Sequence, residues 1–156
     1  MKTCLIVIDV QESFRHRPFF TEHFARIDRQ VVLVDVLSAL GSANLALGRL
    51  GQAEKLLRRA LELSPAFTAA RANLALVLYR QNRPADAIAE LNQVLAEEPD
   101  NPGHANLQAA ALGRIGEFDD AITLYERVLD QAPNQPRVWM SFGHMLKTVG
   151  RLESAG

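Results

Sequence analysis

Three stretches decide the fold: LGQAEKLLRRALELSP (50–65), PADAIAELNQVLAEEP (84–99) and FDDAITLYERVLDQAP (118–133). Each follows the one before at the same offset, roughly 34 residues, an interval typical of helical repeats. Ala53, Ala87 and Ala121 share a column that Ala155 continues, and Pro65, Pro99 and Pro133 share another. Leu57, Leu91 and Tyr125 fall together, as do Ala60, Val94 and Val128, and Leu61, Leu95 and Leu129. Gly48, Gly116 and Gly150 add a further column, with Asn82 in the remaining slot. So many columns in one register mark an internal repeat.

The units run 34–67, 68–101 and 102–135, with a partial fourth at 136–156. Each full unit carries two amphipathic helical stretches. In the second, Leu74 and Leu78 and then Ala87, Leu91, Val94 and Leu95 recur at helical spacing. Asn82 suits a left-handed residue ending the first helix, and Pro84 the first turn of the next. The prolines at 65, 99 and 133 end each second helix, because proline disfavours a helical predecessor. The alanine column fits the closest approach of two helices about 8–10 Å apart, where only a small side chain is admitted.

Composition narrows the function. The 156 residues suit one domain or a short repeat array. Lys plus Arg number 17 against 18 Asp plus Glu, which lacks the basic excess of a nucleic-acid binder. With 48% of residues apolar the chain can bury a core. Cys4 is the single cysteine, which excludes an intramolecular disulfide and a cysteine-rich zinc site. The apolar run Cys4–Ile8 stops at Asp9, short of a secretory segment or a membrane span. No cofactor is expected, and a cytoplasmic setting is. The histidines at 16, 23, 104 and 144 are dispersed, with no i, i+4 pair for zinc, and read as surface residues.

The pattern resembles tetratricopeptide (TPR) repeats, whose unit is a helix–turn–helix of about 34 residues. Trp139, Phe142-Gly143, Leu146, Gly150 and Ala155 occupy the family's signature slots, with Phe142 and Leu146 as apolar substitutes, and Leu40-Gly41 fills the central pair in the first unit. The third unit departs, with Gln108-Ala109 there, which suggests looser packing. The resemblance covers 34–156 and implies an all-α solenoid of about three and a half repeats, following a short extended N-terminal segment. It also implies a protein-interaction scaffold, whose first helices line a concave groove. The groove positions include Tyr79, Arg80, Asn106, Arg114, Arg137, Met140, His144 and Lys147. That set is mildly basic, suiting a protein or peptide partner with acidic and apolar side chains. Solvated helix faces would carry similar residues. One subtype grips a chaperone's C-terminal carboxylate with Lys, Asn and Arg. Here Asn73 fills one such slot but Ser38, Ser42, Gly103 and Leu107 fill the others, so the clamp is not expected.

Toward the C-terminus a second helix of the fourth unit would have room for only about one turn. Val138, Trp139, Phe142, Met145, Leu146 and Val149 would then lose cover on one side, which predicts self-association. Residues 133–151 also resemble the TPR arm preceding bacterial TPR-containing sulfotransferase domains. The donor-binding glycine-rich loop of such an enzyme is not found; Gly48, Gly51, Gly113 and Gly116 read as helix stops.

The first thirty residues differ in composition: of 22 alanines only Ala25 precedes Ala39, and four of seven phenylalanines precede Ala25. Leu5–Gln11 with Phe14 resembles the opening strand of isochorismatase-like cysteine hydrolases, where a strand-end Asp, here Asp9, works beside a Lys and a nucleophilic Cys. Cys4 lies inside that strand, and Lys55 and Lys147 lie in repeat units, so no catalytic set is complete and no enzyme is expected. Residues 1–20 are expected as a strand-and-loop remnant. Thr21 reads as the N-cap of a lead-in helix over 21–33 that runs into the first unit, with Val31 to Val34 able to extend instead.

Overall fold

Once in each repeat the backbone swings into the left-handed region: φ is +73° at Gly48, +61° at Asn82 and +90° at Gly116. At each point the next N–H reaches back across the helix end, from Arg49 to Asn44 O, Arg83 to Leu78 O and Glu117 to Leu112 O, at 2.8–3.1 Å. This closure occupies carbonyls that a helix terminus leaves unpaired. The carbonyls of Arg49, Arg83 and Glu117 then accept from the N–H of Ala53, Ala87 and Ala121, starting the following helix.

The computed structural model describes the backbone over residues 18–153 and side chains over 29–150. Seven helices follow in order: α1 (Pro18–Ala46), α2 (Leu50–Leu63), α3 (Thr68–Arg80), α4 (Pro84–Glu97), α5 (Pro102–Ile115), α6 (Phe118–Gln131) and α7 (Pro136–Glu153). Proline opens α4, α5 and α7, where its missing N–H has no partner to lose. Asn101 caps α5, its Oδ1 accepting from Gly103 N–H and His104 N–H. Each of Pro65, Pro99 and Pro133 stands just beyond the end of α2, α4 or α6, with one residue between.

The helices pack as antiparallel pairs, α1 with α2, α3 with α4 and α5 with α6, and each pair stacks on the one before. The alanines at 53, 87 and 121 are wholly buried, as are Leu57, Leu91 and Ala60, and Tyr125 is nearly so. The architecture is the all-α array of helix pairs that the repeat implies. Among the described residues no helix is long and apolar enough to cross a membrane.

Several local expectations are corrected. Helix α1 begins at Pro18, so Thr21 lies within its first turn and is not a cap, and Val31–Val34 are helical. The lead-in helix does run on into the first unit, as read from the sequence, the two forming one element of 29 residues. Gly150 makes no turn, since α7 continues through it to Glu153. Glycine permits a left-handed φ without imposing one, and in a helix interior it costs only about 1 kcal/mol. Gly51 is the second residue of α2, and Gly113 lies in the last turn of α5, where an added Cβ would collide with Met145 Cε. Ala109 is wholly buried, so the third unit is not loose at that slot. Of the residues expected to be uncovered, Val138 and Met145 are buried, whereas Trp139 and Leu146 are exposed. The proposed strand and Asp9 and Cys4 lie outside the described residues.

Candidate peptide-binding face

The first helices α1, α3, α5 and α7 lie side by side, each touching the next. Their sequences sort charge. Residues 68–80, 102–115 and 136–150 contain no Asp or Glu, yet they hold Arg71, Arg80, Arg114, Arg137 and Lys147. Helices α4 and α6 carry Asp86, Glu90, Glu97, Asp119, Asp120, Glu126 and Asp130 against Arg127 alone. A net charge of −1 therefore hides a cationic α3, α5 and 136–150 beside an anionic α4 and α6. Helix α1, with Asp35, and α2, with Lys55, Arg58 and Arg59 against Glu54 and Glu62, do not share the split. Arg71 leaves the cationic set, being paired at 2.8 Å with Glu90 in a part-buried bridge from α3 to α4.

Arg80 and Arg114, one repeat apart, make the same contact. Arg80 Nη1 donates to Leu45 O at 3.3 Å, and Arg114 Nη1 donates to Tyr79 O at 3.0 Å. Each guanidinium thus holds a carbonyl in the last turn of the preceding first helix, where positive charge is favoured. Arg114 also lies 3.9 Å over the Tyr79 ring, a cation–π stack. The structure therefore unites Tyr79 with Arg114, and both arginines tie neighbouring repeats while their remaining donors face solvent.

The α7 residues form a separate row. Arg137, Met140, His144 and Lys147 follow at intervals of three and four, all exposed, with Met140 at 71%. Among the described residues their side chains make no hydrogen bond or ion pair; Ser141 and Thr148 donate instead to the backbone carbonyls of Arg137 and His144. Asn106 on α5 is half-buried, and its buried Oδ1 has no hydrogen-bond partner among the described residues. An unmet buried acceptor of this kind costs about 1–3 kcal/mol.

Other features were not foreseen. Asn73 Nδ2 donates to Ser42 Oγ at 2.9 Å, and Ser42 Oγ donates to Ser38 O at 3.0 Å, so three of the clamp slots satisfy one another. Burial, with a smaller push from Tyr79 and against a lowering hydrogen bond with Ser141, holds the Tyr125 phenol up at about 12. His104 is half-buried rather than a surface residue, its Nδ1 lying 3.4 Å from Glu98 Oε2. A hollow of about 410 Å³ lies away from this face, among α4, α5 and α6, where Gln108 and Asn92 bond at 2.5 Å. Among the described residues, no three His, Cys, Asp or Glu side chains converge as a metal site. The Asn73–Ser42 pair was visible only as two polar residues on helices expected to touch. The arginine ties involve backbone acceptors and leave no mark in the side-chain pattern.

Comparison with known proteins agrees with this geometry. Residues 44–111 match one tetratricopeptide repeat model and residues 105–145 another. The first TPR of Spaghetti (RPAP3), bound to the HSP90 peptide SRMEEVD, superposes with a TM-score of 0.70 at 19% identity, covering 76% of this chain and 94% of that one. The Sgt2 TPR domain from Aspergillus fumigatus gives 0.70 at 16% identity, over 78% and 82%. MamA (AMB-1) gives 0.66 at 28% identity, over 78% and 72%. Turns, buried columns, helix pairing and these matches agree, and the chain belongs to the tetratricopeptide repeat family.

Proposed function

We propose that this protein is an interaction scaffold whose first-helix face takes a peptide or partner segment rich in acidic and apolar side chains. The observation that carries this reading is the charge sorting: four exposed cations, Arg80, Arg114, Arg137 and Lys147, with no carboxylate on α3, α5 or residues 136–150 of α7. Tyr79 and Met140 supply apolar surface beside them. The first TPR of Spaghetti (RPAP3) is bound to a peptide, SRMEEVD, with three carboxylate side chains, which supports an acidic ligand for this fold. A free C-terminal carboxylate is not part of the proposal, because Ser38, Ser42 and Asn73 bond one another and Gly103 and Leu107 carry no charge.

The test uses SRMEEVD, its C-terminally amidated form and a version with lysine for each acid, measured by fluorescence anisotropy. The acidic peptide is expected to bind with micromolar affinity, amidation to change little, and the lysine version not to bind. Charge reversal at Arg137 and Lys147 together should weaken binding at least about tenfold, or about 1.4 kcal/mol. Arg114 is a poorer choice for that test, because its loss also frees the Tyr79 carbonyl. Equal binding of acidic and basic peptides, or no effect of the double reversal, sinks the reading.

The narrower resemblances belong to the same proposal. Residues 133–151 support a use as the arm of a TPR-linked sulfotransferase. Asp9 is taken as a remnant without catalytic work, so hydrolysis of nicotinamide or an isochorismate-type ether above background would contradict it. A cytoplasmic setting is part of the same proposal, and a chain with a single cysteine is compatible with it. Association of copies through α7 is supported by Trp139, Met140 and Leu146, exposed at 52, 71 and 46%.

A further inference from the structure

Polar ties fasten the second repeat to the first. Glu54 on α2 accepts at 3.0 Å from Gln81 and from Arg83, and Arg83 also pairs with Asp86 at 2.6 Å. Within the second repeat Arg71 pairs with Glu90 at 2.8 Å. One repeat further on, these places change character. Glu54, Gln81 and Arg83 give way to Ile88, Ile115 and Glu117, and Arg71 and Glu90 to Ala105 and Leu124. Asp86 keeps its charge, as Asp120.

The exchange leaves a hollow of about 410 Å³ with an apolar floor where α4, α5 and α6 meet. Ile88 and Leu112 line it half-buried, and Ile115, one turn on from Leu112, is 45% exposed. Other helices pack on both sides of these three, α3 on α4 and α7 on α5 and α6, and the hollow still stays open. Its rim is charged in one sense at the α5–α6 turn. Asp86 is neutralised by Arg83, but Asp120 stands three residues from Glu117, both exposed and neither in an ion pair among the described residues. A lysine or arginine brought there meets opposite charge without displacing a partner. Arg127, seven residues and about 10 Å further along α6, lines the other end.

We propose that this hollow docks an amphipathic helical segment of another protein. Its leucine-type side chains sit over Ile88, Leu112 and Ile115, whose one-turn spacing suits the i, i+3, i+4 anchors of a helix. Its basic end lies at Glu117 and Asp120 and its acidic end toward Arg127, an orientation set by complementary charge. The face is separate from the first-helix face and opposite to it in the charge it selects.

The probe is a fluorescein-labelled peptide, KKALLAALLQALE, titrated with the full chain and followed by anisotropy. It is expected to bind, and versions with glutamate for both lysines, or glutamine for every leucine, at least about tenfold more weakly. One variant carries Ile88→Glu, Ile115→Gln and Glu117→Arg together, the tie that the preceding repeat already uses, so it should melt no lower than wild type. It should lose affinity for the peptide at least about tenfold, whereas charge reversal at Arg137 and Lys147 should leave that affinity unchanged. Should the triple variant misfold by circular dichroism, Glu117→Lys with Asp120→Lys, both on exposed side chains, is expected to give the same loss. No binding to wild type, equal binding of the acidic version, full binding by a folded variant, or loss on reversal at Arg137 and Lys147 overturns the proposal. Sedimentation velocity supplies one further arm: a wild-type dimer that the folded variant loses makes a second copy the occupant, which also overturns it.

Discussion

At Gly41 the fold leaves no room for a methyl group, because Leu57 Cγ would lie 2.7 Å from it. Alanine there gains roughly 1 kcal/mol of helix propensity but overpacks a filled crossing, at about 1–3 kcal/mol. Crowding wins, because the atom that must give way is a branch point in the core and not the tip of a flexible chain. Ala121 faces the same constraint without the offsetting gain, since it is already a good helix former and wholly buried. Ala121→Leu is therefore expected to lower unfolding free energy by about 1–3 kcal/mol, and Gly41→Ala by about 1 kcal/mol. Urea denaturation at neutral pH measures both; an unchanged midpoint in Ala121→Leu would refute the tight α5–α6 crossing. These columns were legible in the sequence because a buried contact admits few residue types. Gly113 was not, because its reason is Met145, two helices further along the chain, and nothing near Gly113 announces it.

Single elements are joined by polar ties as well as by apolar columns. Glu54 on α2 accepts from Gln81 and Arg83, both in the turn between α3 and α4, at 3.0 Å each, and from Arg58 on its own helix. Burial raises its carboxyl pKa, but hydrogen bonds from Gln81, Arg58 and Arg83 outweigh it and leave the group below its ordinary 4.5. A depressed carboxylate contributes stability above its unfolded pKa and loses it as pH falls through the folded one. Glu54→Gln should thus cost about 0.5–1.5 kcal/mol at neutral pH. The gap to wild type should close below about pH 4. A gap that persists unchanged in thermal melts well below that pH would show that the charge is not what binds α2 to that turn. The start of α1 and the course of α7 were the elements least legible beforehand. An α1 that is apolar on two sides gives no single stripe to mark its start, and the glycine at 150 leaves turn and helix open where Asn82 with Pro84 does not.

At the scale of the whole molecule, stability is a sum over neighbouring pairs, so the array is as strong as its weakest junction. The α2–α3 junction uses Ala70, Leu74 and Val77, all buried, and the α6–α7 junction uses Val138, Phe142 and Met145. At α4–α5 the equivalent places hold His104, Gln108 and Ala111, with His104 Nδ1 buried and lacking a hydrogen bond among the described residues. The packing nonetheless continues through this junction, since Leu91 and Val94 on α4 and Ala111 on α5 are wholly buried. A polar seam gains less from burial than its apolar neighbours, so amide protons at the centres of α4 and α5 should exchange sooner than those at the centre of α3.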